Sequence, residues 1–214
     1  QHSAGELVKQ GTDQIVLRRS SGTVALGHGS QSLGDSSVQI QADAKGVVYL
    51  ASKTGQAAAL IYDTLEVPRG KTYQLRLPDG SKVVLNAASR LIFPEAFQGN
   101  TRQVYVQGEA FFDIHHDPSS AFIVHAGGAE MKVLGTSFDV NTFNEGLTTT
   151  LVSGKLMVSS ASDRVILSSG EQSTCNPDGR ISKQKVDTRL YTAWSHGDLF
   201  FDNERLENIT ENLG

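Results

Sequence analysis

The 214-residue chain carries 19 Lys and Arg against 23 Asp and Glu, a formal net charge of −4, and 38% of its residues are hydrophobic. That length supports one sizeable hydrophobic core, and the mild acidity excludes the basic field that would draw the chain onto nucleic acid or anionic lipid. One cysteine, Cys175, excludes an intrachain disulfide and a cysteine-rich metal site, and no apolar run approaches the roughly 20 residues that span a bilayer.

The chain opens at Gln1, not at Met, so the expectation is a processed or cut product whose targeting or anchoring segment lies outside it. The first sixty residues are polar and Gly/Ser-rich. The runs Ile15-Val16-Leu17, Val24-Ala25-Leu26, Val38-Gln39-Ile40 and Val47-Val48-Tyr49-Leu50 predict strands, with a loose loop over 27–37. Further on, period-two patterns predict strands with one buried face: Tyr73, Leu75 and Leu77, then Val104 and Val106, Met131 and Val133, Phe138 and Val140, Leu156 and Val158. Three continuous runs predict strands buried on both faces: Val83-Val84-Leu85, Phe122-Ile123-Val124 and Val165-Ile166-Leu167. Asp79-Gly80, Gln107-Gly108, Gly127-Gly128, Ser153-Gly154, Ser169-Gly170 and Asp178-Gly179 supply turns between them. Helical periodicity is almost absent up to residue 186, which argues against βαβ architecture. The fold class is all-β, either an irregular β-solenoid or a sandwich-like stack of short strands.

Near residue 187 the pattern changes. Asp187 to Trp194 reads as a short helix or linker, and Leu199-Phe200-Phe201 as a brief strand. Asp202 or Asn203 can cap a helix from about Glu204, with Leu206, Ile209 and Leu213 on one apolar face. This is the start of a small C-terminal α/β domain. The expected division is 1–64 for N-terminal strands, 65–187 for the main β domain and 188–214 for the linker and the start of the next domain.

Chemistry-bearing residues are sparse. Glu109, Asp113 and Asp117 lie close in sequence, and Glu109 and Asp113 share a strand face, so a polysaccharide-active or polysaccharide-binding protein is the alternative reading. Solvated carboxylates are the commoner outcome of such a pattern. His115, His116 and His125 lack a metal-ligand spacing, since adjacent histidines on a strand face opposite ways. Cys175 has no neighbouring base and reads as an inert strand-end thiol. The Asn208-Ile209-Thr210 triplet falls within the expected helix. Phe93, Phe97, Phe111, Phe112, Phe122 and Phe138 occupy alternating core positions, and the one tryptophan, Trp194, is in the linker. The residues therefore indicate a protein-contact module with no catalytic residue, cofactor or metal.

Four ordered segments then resemble the FecR family of anti-sigma regulators. Leu75-Arg76-Leu77-Pro78-Asp79-Gly80-Ser81-Lys82-Val83-Val84-Leu85-Asn86-Ala87-Ala88-Ser89 is similar to its L-x-DGS-x-V-x-LN-x-x-S signature. Val104 through Gly108-Glu109-Ala110-Phe111-Phe112-Asp113-Ile114 is similar to its GEA box. Phe122-Ile123-Val124 with Val133-Leu134-Gly135-Thr136-Ser137-Phe138-Asp139-Val140 resembles its PF-x-V and VLGT-x-FNV elements, with Ala121 and Asp139 in place of the usual Pro and Asn. Val152-Ser153-Gly154-Lys155-Leu156 and Gly170-Glu171-Gln172 resemble its final turns. The tail from Trp194 to Leu206 resembles the small α/β domain that follows in the Bacteroidetes-type branch.

The resemblance implies the periplasmic part of a larger protein, anchored in the inner membrane by one helix outside this chain. It also implies a relay in which an outer-membrane TonB-dependent receptor, through its N-terminal signalling domain, controls an extracytoplasmic-function sigma factor. The sigma factor would be held by a cytoplasmic segment absent here. Leu199, Phe201, Leu206 and Ile209 are the expected partner-binding residues. The signature residues themselves read as fold determinants: a tight Pro-Asp-Gly-Ser turn, bulges or close strand approach at Gly108 and Gly135, and backbone amides bound by Glu109 and Glu171.

Overall fold

A computed structural model describes residues 13–26, 29–34, 39–50 and 60–197. Among these residues the chain weaves between two sheets. It starts in sheet I with β1 (Ile15–Arg19) and β2 (Gly22–Leu26), then crosses to sheet II for β3 (Gln31–Gly34), β4 (Gln39–Ala42) and β5 (Gly46–Leu50). It returns for β6 (Tyr62–Val67), places β7 (Tyr73–Arg76) and β8 (Lys82–Leu85) in sheet II, and β9 (Ser89–Pro94) and β10 (Thr101–Gln107) in sheet I. β11 (Glu109–Asp113) lies in sheet II, β12 (Ala121–Ala126) and β13 (Ala129–Val133) in sheet I, and β14 (Ser137–Asn141) and β15 (Leu147–Ser153) in sheet II. β16 (Lys155–Ser159) and β17 (Arg164–Ser168) complete sheet I, and β18 (Glu171–Cys175) and β19 (Ile181–Lys185) complete sheet II.

Apart from the swapped first hairpin, spatial order follows chain order in both sheets. The result is a sandwich in cross-section and solenoid-like in progression, so both sequence alternatives describe part of it. Neighbouring strands are antiparallel except β5 with β7 and β10 with β12. Each parallel pair flanks one strand donated to the opposite sheet, because a single crossing strand brings the chain back in its original direction.

Alternation of side chains places Leu65, Leu75, Val83, Leu91, Val104, Phe112, Phe122, Val124, Phe138 and Leu156 in one core. Each such side chain contributes about 1.5–3 kcal/mol of hydrophobic stabilisation. Aromatic contacts join the sheets. Tyr49 on β5 meets Phe93 on β9 edge-on at 5.0 Å, and Phe112 on β11 lies 6.5 Å from Phe122 on β12. A buried polar pin does the same near the N-terminal end. Arg19 donates to Asp63 (3.2 Å) and to Glu95 (2.6 Å), and the Tyr49 hydroxyl donates to Asp63 from the opposite sheet. Burial pushes the Asp63 carboxyl up, against the hydrogen bond from Tyr49.

Three sequence readings need correction. The Val165-Ile166-Leu167 run is not buried on both faces: β17 is an edge strand, and Ile166 is 60% exposed. Val84 and Ile123 are likewise only half-buried, because each sheet has one core face. The expected loop over 27–37 contains β3, paired with β4. The expected tail helix, and Leu199, Phe201, Leu206 and Ile209 with it, lie outside the described residues.

The Pro78-Asp79-Gly80 turn forms as its sequence dictates. Gly80 donates to the Leu77 carbonyl at 2.9 Å, and Leu77 donates to the Ser81 carbonyl at 2.8 Å. Gly80 has φ +86°, with open space where a Cβ would stand, so a Gly80→Ala substitution tests backbone strain alone. It is expected to cost about 1–2 kcal/mol. The measurement is a lower urea midpoint at unchanged m-value.

Candidate functional site

The residues that carry the resemblance are consumed in holding turns. Asp79 accepts the Ser81 backbone N–H (3.0 Å) and hydroxyl (2.7 Å), and the Ser81 hydroxyl oxygen accepts the His115 N–H (3.0 Å). Arg102, 3% exposed, closes this cluster. It donates to Asp79 (2.7 Å), to the His115 carbonyl (3.0 Å) and twice to the Ser120 carbonyl (3.1 and 2.7 Å), with its guanidinium 5.3 Å from the Phe122 ring centre. Gly108 has φ +94°, and a Cβ there would stand 2.7 Å from Ser89 Cβ and 2.8 Å from its Cα. Gly135 lies as tightly against the His116 backbone, its Cβ position 2.5 Å from His116 Cα. Both fit the expected close approach. Glu171 accepts the Ser168 backbone N–H (2.8 Å), also as expected. Glu109 differs: its carboxylate takes the side-chain amides of Asn86 (2.5 Å) and Asn141 (2.7 Å), not backbone amides.

The acids and histidines that cluster in the sequence separate in space. Glu109 and Asp113 do share the outer face of β11, but four residues of strand set them about 13 Å apart. A glycosidase pair works at separations up to roughly 9.5 Å. Asp113 accepts the Ser137 hydroxyl (2.9 Å), and Asp117 holds Ser119 in a turn (2.9 and 2.6 Å). His125 stacks on Tyr105 at 4.6 Å and pairs with Gln103 (3.1 Å). Among the described residues no three of His, Cys, Asp or Glu converge on a metal-sized site. Cys175 is buried, and burial raises its thiol pKa. Phe93, Phe112, Phe122 and Phe138 are in the core, and Phe97 packs partly against it. Phe111 instead faces outward.

That outer face of sheet II carries the most unusual arrangement. Register aligns Gln74, Val84, Phe111, Asp139, Thr150, Gln172 and Gln184 in one row across seven strands. Outward residues of a sandwich are normally wet, yet Asp139, Thr150 and Gln172 are buried. The element packed here is the linker. A short helix, α1 (Arg189–Thr192), runs into a 3-10 turn over Ala193–His196. The linker starts beside sheet II's C-terminal edge, where Val186 donates to the Gly170 carbonyl (2.9 Å), and folds back so that His196 meets Phe111 at 6.0 Å. Sequence reasoning expected this helix but not its seat.

Asp139 lies beneath it. Its Oδ1 has no hydrogen-bond partner among the described residues. Burial, then the Glu109 charge, drives its pKa well above the ordinary value, and the nearby Trp194 indole, whose N–H donates to the Tyr191 carbonyl (3.1 Å), acts in the opposite direction. Burial raises Glu109 too, but its two amide donors favour the charged form. Burial and the neighbouring charge therefore favour the protonated form of Asp139 more strongly than that of Glu109. The signal in the sequence was the substitution itself, an acid where the family motif has Asn.

Beside the linker the same face opens into a groove of about 840 Å³, lined by Gln41, Gln74, Arg76, Lys82, Phe111 and Asp113 on its floor and by Ser195 and His196 at the linker end.

A two-sheet β module, with polar residues that lock its turns and a linker seated on one outer face, is the class these features define. A family model described as FecR protein matches residues 63–157. Two crystal structures of a candidate anti-sigma factor from Parabacteroides distasonis are similar to this chain at 33% identity. One covers 70% of this chain and 72% of its own with a TM-score of 0.62, and the other covers 71% and 73% with a TM-score of 0.63. No curated protein matches. The chain belongs to the FecR family of anti-sigma regulators. Among the described residues no helix is long and apolar enough to cross a membrane.

Proposed function

We propose that this chain is the periplasmic signal-relay region of a membrane-anchored anti-sigma factor. It passes occupancy of an outer-membrane TonB-dependent receptor to an extracytoplasmic-function sigma factor. The observation that carries the reading is family membership in a body whose signature residues are spent on turns and strand approach, leaving contact surfaces as its functional resource. In this reading residues 1–64 supply N-terminal strands, 65–187 the main β domain, and 188–214 the linker and the start of a C-terminal α/β domain. The sigma factor is held by a cytoplasmic segment beyond this chain. The N-terminal signalling domain of the receptor docks near the tail, with Leu199, Phe201, Leu206 and Ile209 as apolar anchors of a strand-addition or helix-face contact.

Co-purification of the intact periplasmic region with signalling domains of the co-encoded receptors tests this. A complex with one of them is expected, weakened at least about tenfold by Phe201→Asp, since central aromatic anchors dominate such interfaces. Failure of every signalling domain to bind would remove the relay.

A further inference from the structure

The groove on sheet II has an electrostatic feature that the turn-locking network does not use. Arg76 on β7 and Lys82 on β8 are directly opposite each other in the antiparallel register. Both are exposed, and neither forms an ion pair among the described residues. Like charges at opposed positions destabilise a strand pair, and Asp113, opposite Lys82 on the other side in β11, offsets only part of the positive charge that Lys45, Arg76 and Lys82 bring to the groove. An anion lying across them relieves that repulsion. Lys45 lines the same groove. The carboxylates that face it already have donors: Asp43 accepts the N–H groups of Lys45 (2.8 Å) and Gly46 (2.9 Å), and Asp113 accepts the Ser137 hydroxyl (2.9 Å). Val48, Val84 and Phe111 add apolar floor between the charges.

The chain itself carries a matching occupant. Ser195 and His196 form the groove's wall, and the segment that follows Gly197 holds Asp198, Asp202, Glu204, Glu207 and Glu211 against the single cation Arg205. Its acids are interleaved with Leu199, Phe200, Phe201, Leu206 and Ile209, so it offers both kinds of group the groove floor accepts. Reach is not limiting. From β4 to β11 the groove crosses four strand spacings, about 19 Å, and seventeen extended residues cover about 55 Å.

We propose that the groove over Arg76 and Lys82 is the intramolecular seat of the acidic segment 198–214. Docking there places the apolar residues of that segment against the β body and withholds them from any other contact. The proposal does not depend on which partner the segment otherwise serves.

Carbodiimide cross-linking of the full chain, read by mass spectrometry, tests it. Lys82 is expected to join a carboxylate within 198–214. A Lys82–Asp113 link between neighbouring strands serves as the internal control for reactivity. Mixing isotopically light and heavy chains distinguishes links within one chain from links between two. Replacing the five tail acids by their amides, or introducing Arg76→Glu, is expected to reduce the tail link about tenfold while leaving the control link intact, as loss of several half-enclosed charge contacts should. Because Arg76 and the tail acids can be changed separately, a folding defect in one variant does not decide the result. The proposal is overturned if Lys82 reaches Asp113 but never the tail, if the tail links are exclusively between chains, or if neither charge change affects them.

Discussion

Replacing Arg102 with alanine is expected to lower the melting temperature by about 10 °C. Arg102 is buried, and its guanidinium serves three acceptors at once: the Asp79 carboxylate and the carbonyls of His115 and Ser120. Truncation removes the cation but leaves these oxygens where they are. Breaking a buried ion pair from one side costs about 3–5 kcal/mol, and a domain of this size loses about 2–4 °C per kcal/mol. The acceptors belong to three segments: the turn between β7 and β8, the loop after β11 and the entry to β12. The variant should therefore expose both sheets, and not just a local loop. Lysine at the same position keeps the charge but lacks the planar fork, so an intermediate loss is expected. Thermal unfolding followed by circular dichroism measures both; a shift of under about 2 °C for the alanine variant contradicts the account.

Asp139→Asn should act in the opposite direction. Asp139 has a folded-state pKa raised well above its unfolded value by burial and by the Glu109 charge. The folded state then binds a proton more tightly than the unfolded chain, so the stabilising contribution is complete below about pH 4 and is lost as pH rises through the folded value. The amide carries no such charge. The difference in stability between variant and parent is expected to be near zero at pH 4 and to grow in favour of the variant towards pH 7, by about 1.4 kcal/mol for each unit by which the folded pKa exceeds the unfolded one. That corresponds to several degrees in melting temperature. Comparing the two proteins at each pH matters, because Asp163 and Glu171, whose pKa values are lowered by backbone hydrogen bonds, impose the reverse trend on both. A difference that stays constant from pH 4 to pH 7 would falsify the raised pKa of Asp139.

Strand periodicity was legible because alternation is local: Tyr73, Leu75 and Leu77 declare their buried face without reference to any other segment. The Pro78-Asp79-Gly80 turn was legible for the same reason. Arg102 left a weaker trace. It shares parity with Val104 and Val106, which places it on the buried face of β10, but its partners are distant in sequence and only the fold assembles them. Asp63 has the same parity relation to Leu65 and Val67. Asp139 could not be read this way. Between Phe138 and Val140 it belongs on the wet face, and it becomes buried because the linker folds back over β14. Ile166 misled in the other direction: an apolar run reads the same whether the strand is central or at an edge.

The route of the linker also has a mechanical meaning. The chain leaves the described body above the middle of sheet II, where His196 meets Phe111, and not at the sheet's edge. Tension applied beyond Gly197 thus first loads the few contacts between linker and sheet, and pulls them apart one after another. The strand ladders beneath carry the same force, but their hydrogen bonds are far more numerous and hold after those contacts have yielded. In such a geometry the linker acts as a weak link in series with a stiff body: it extends under force while the sandwich keeps its shape.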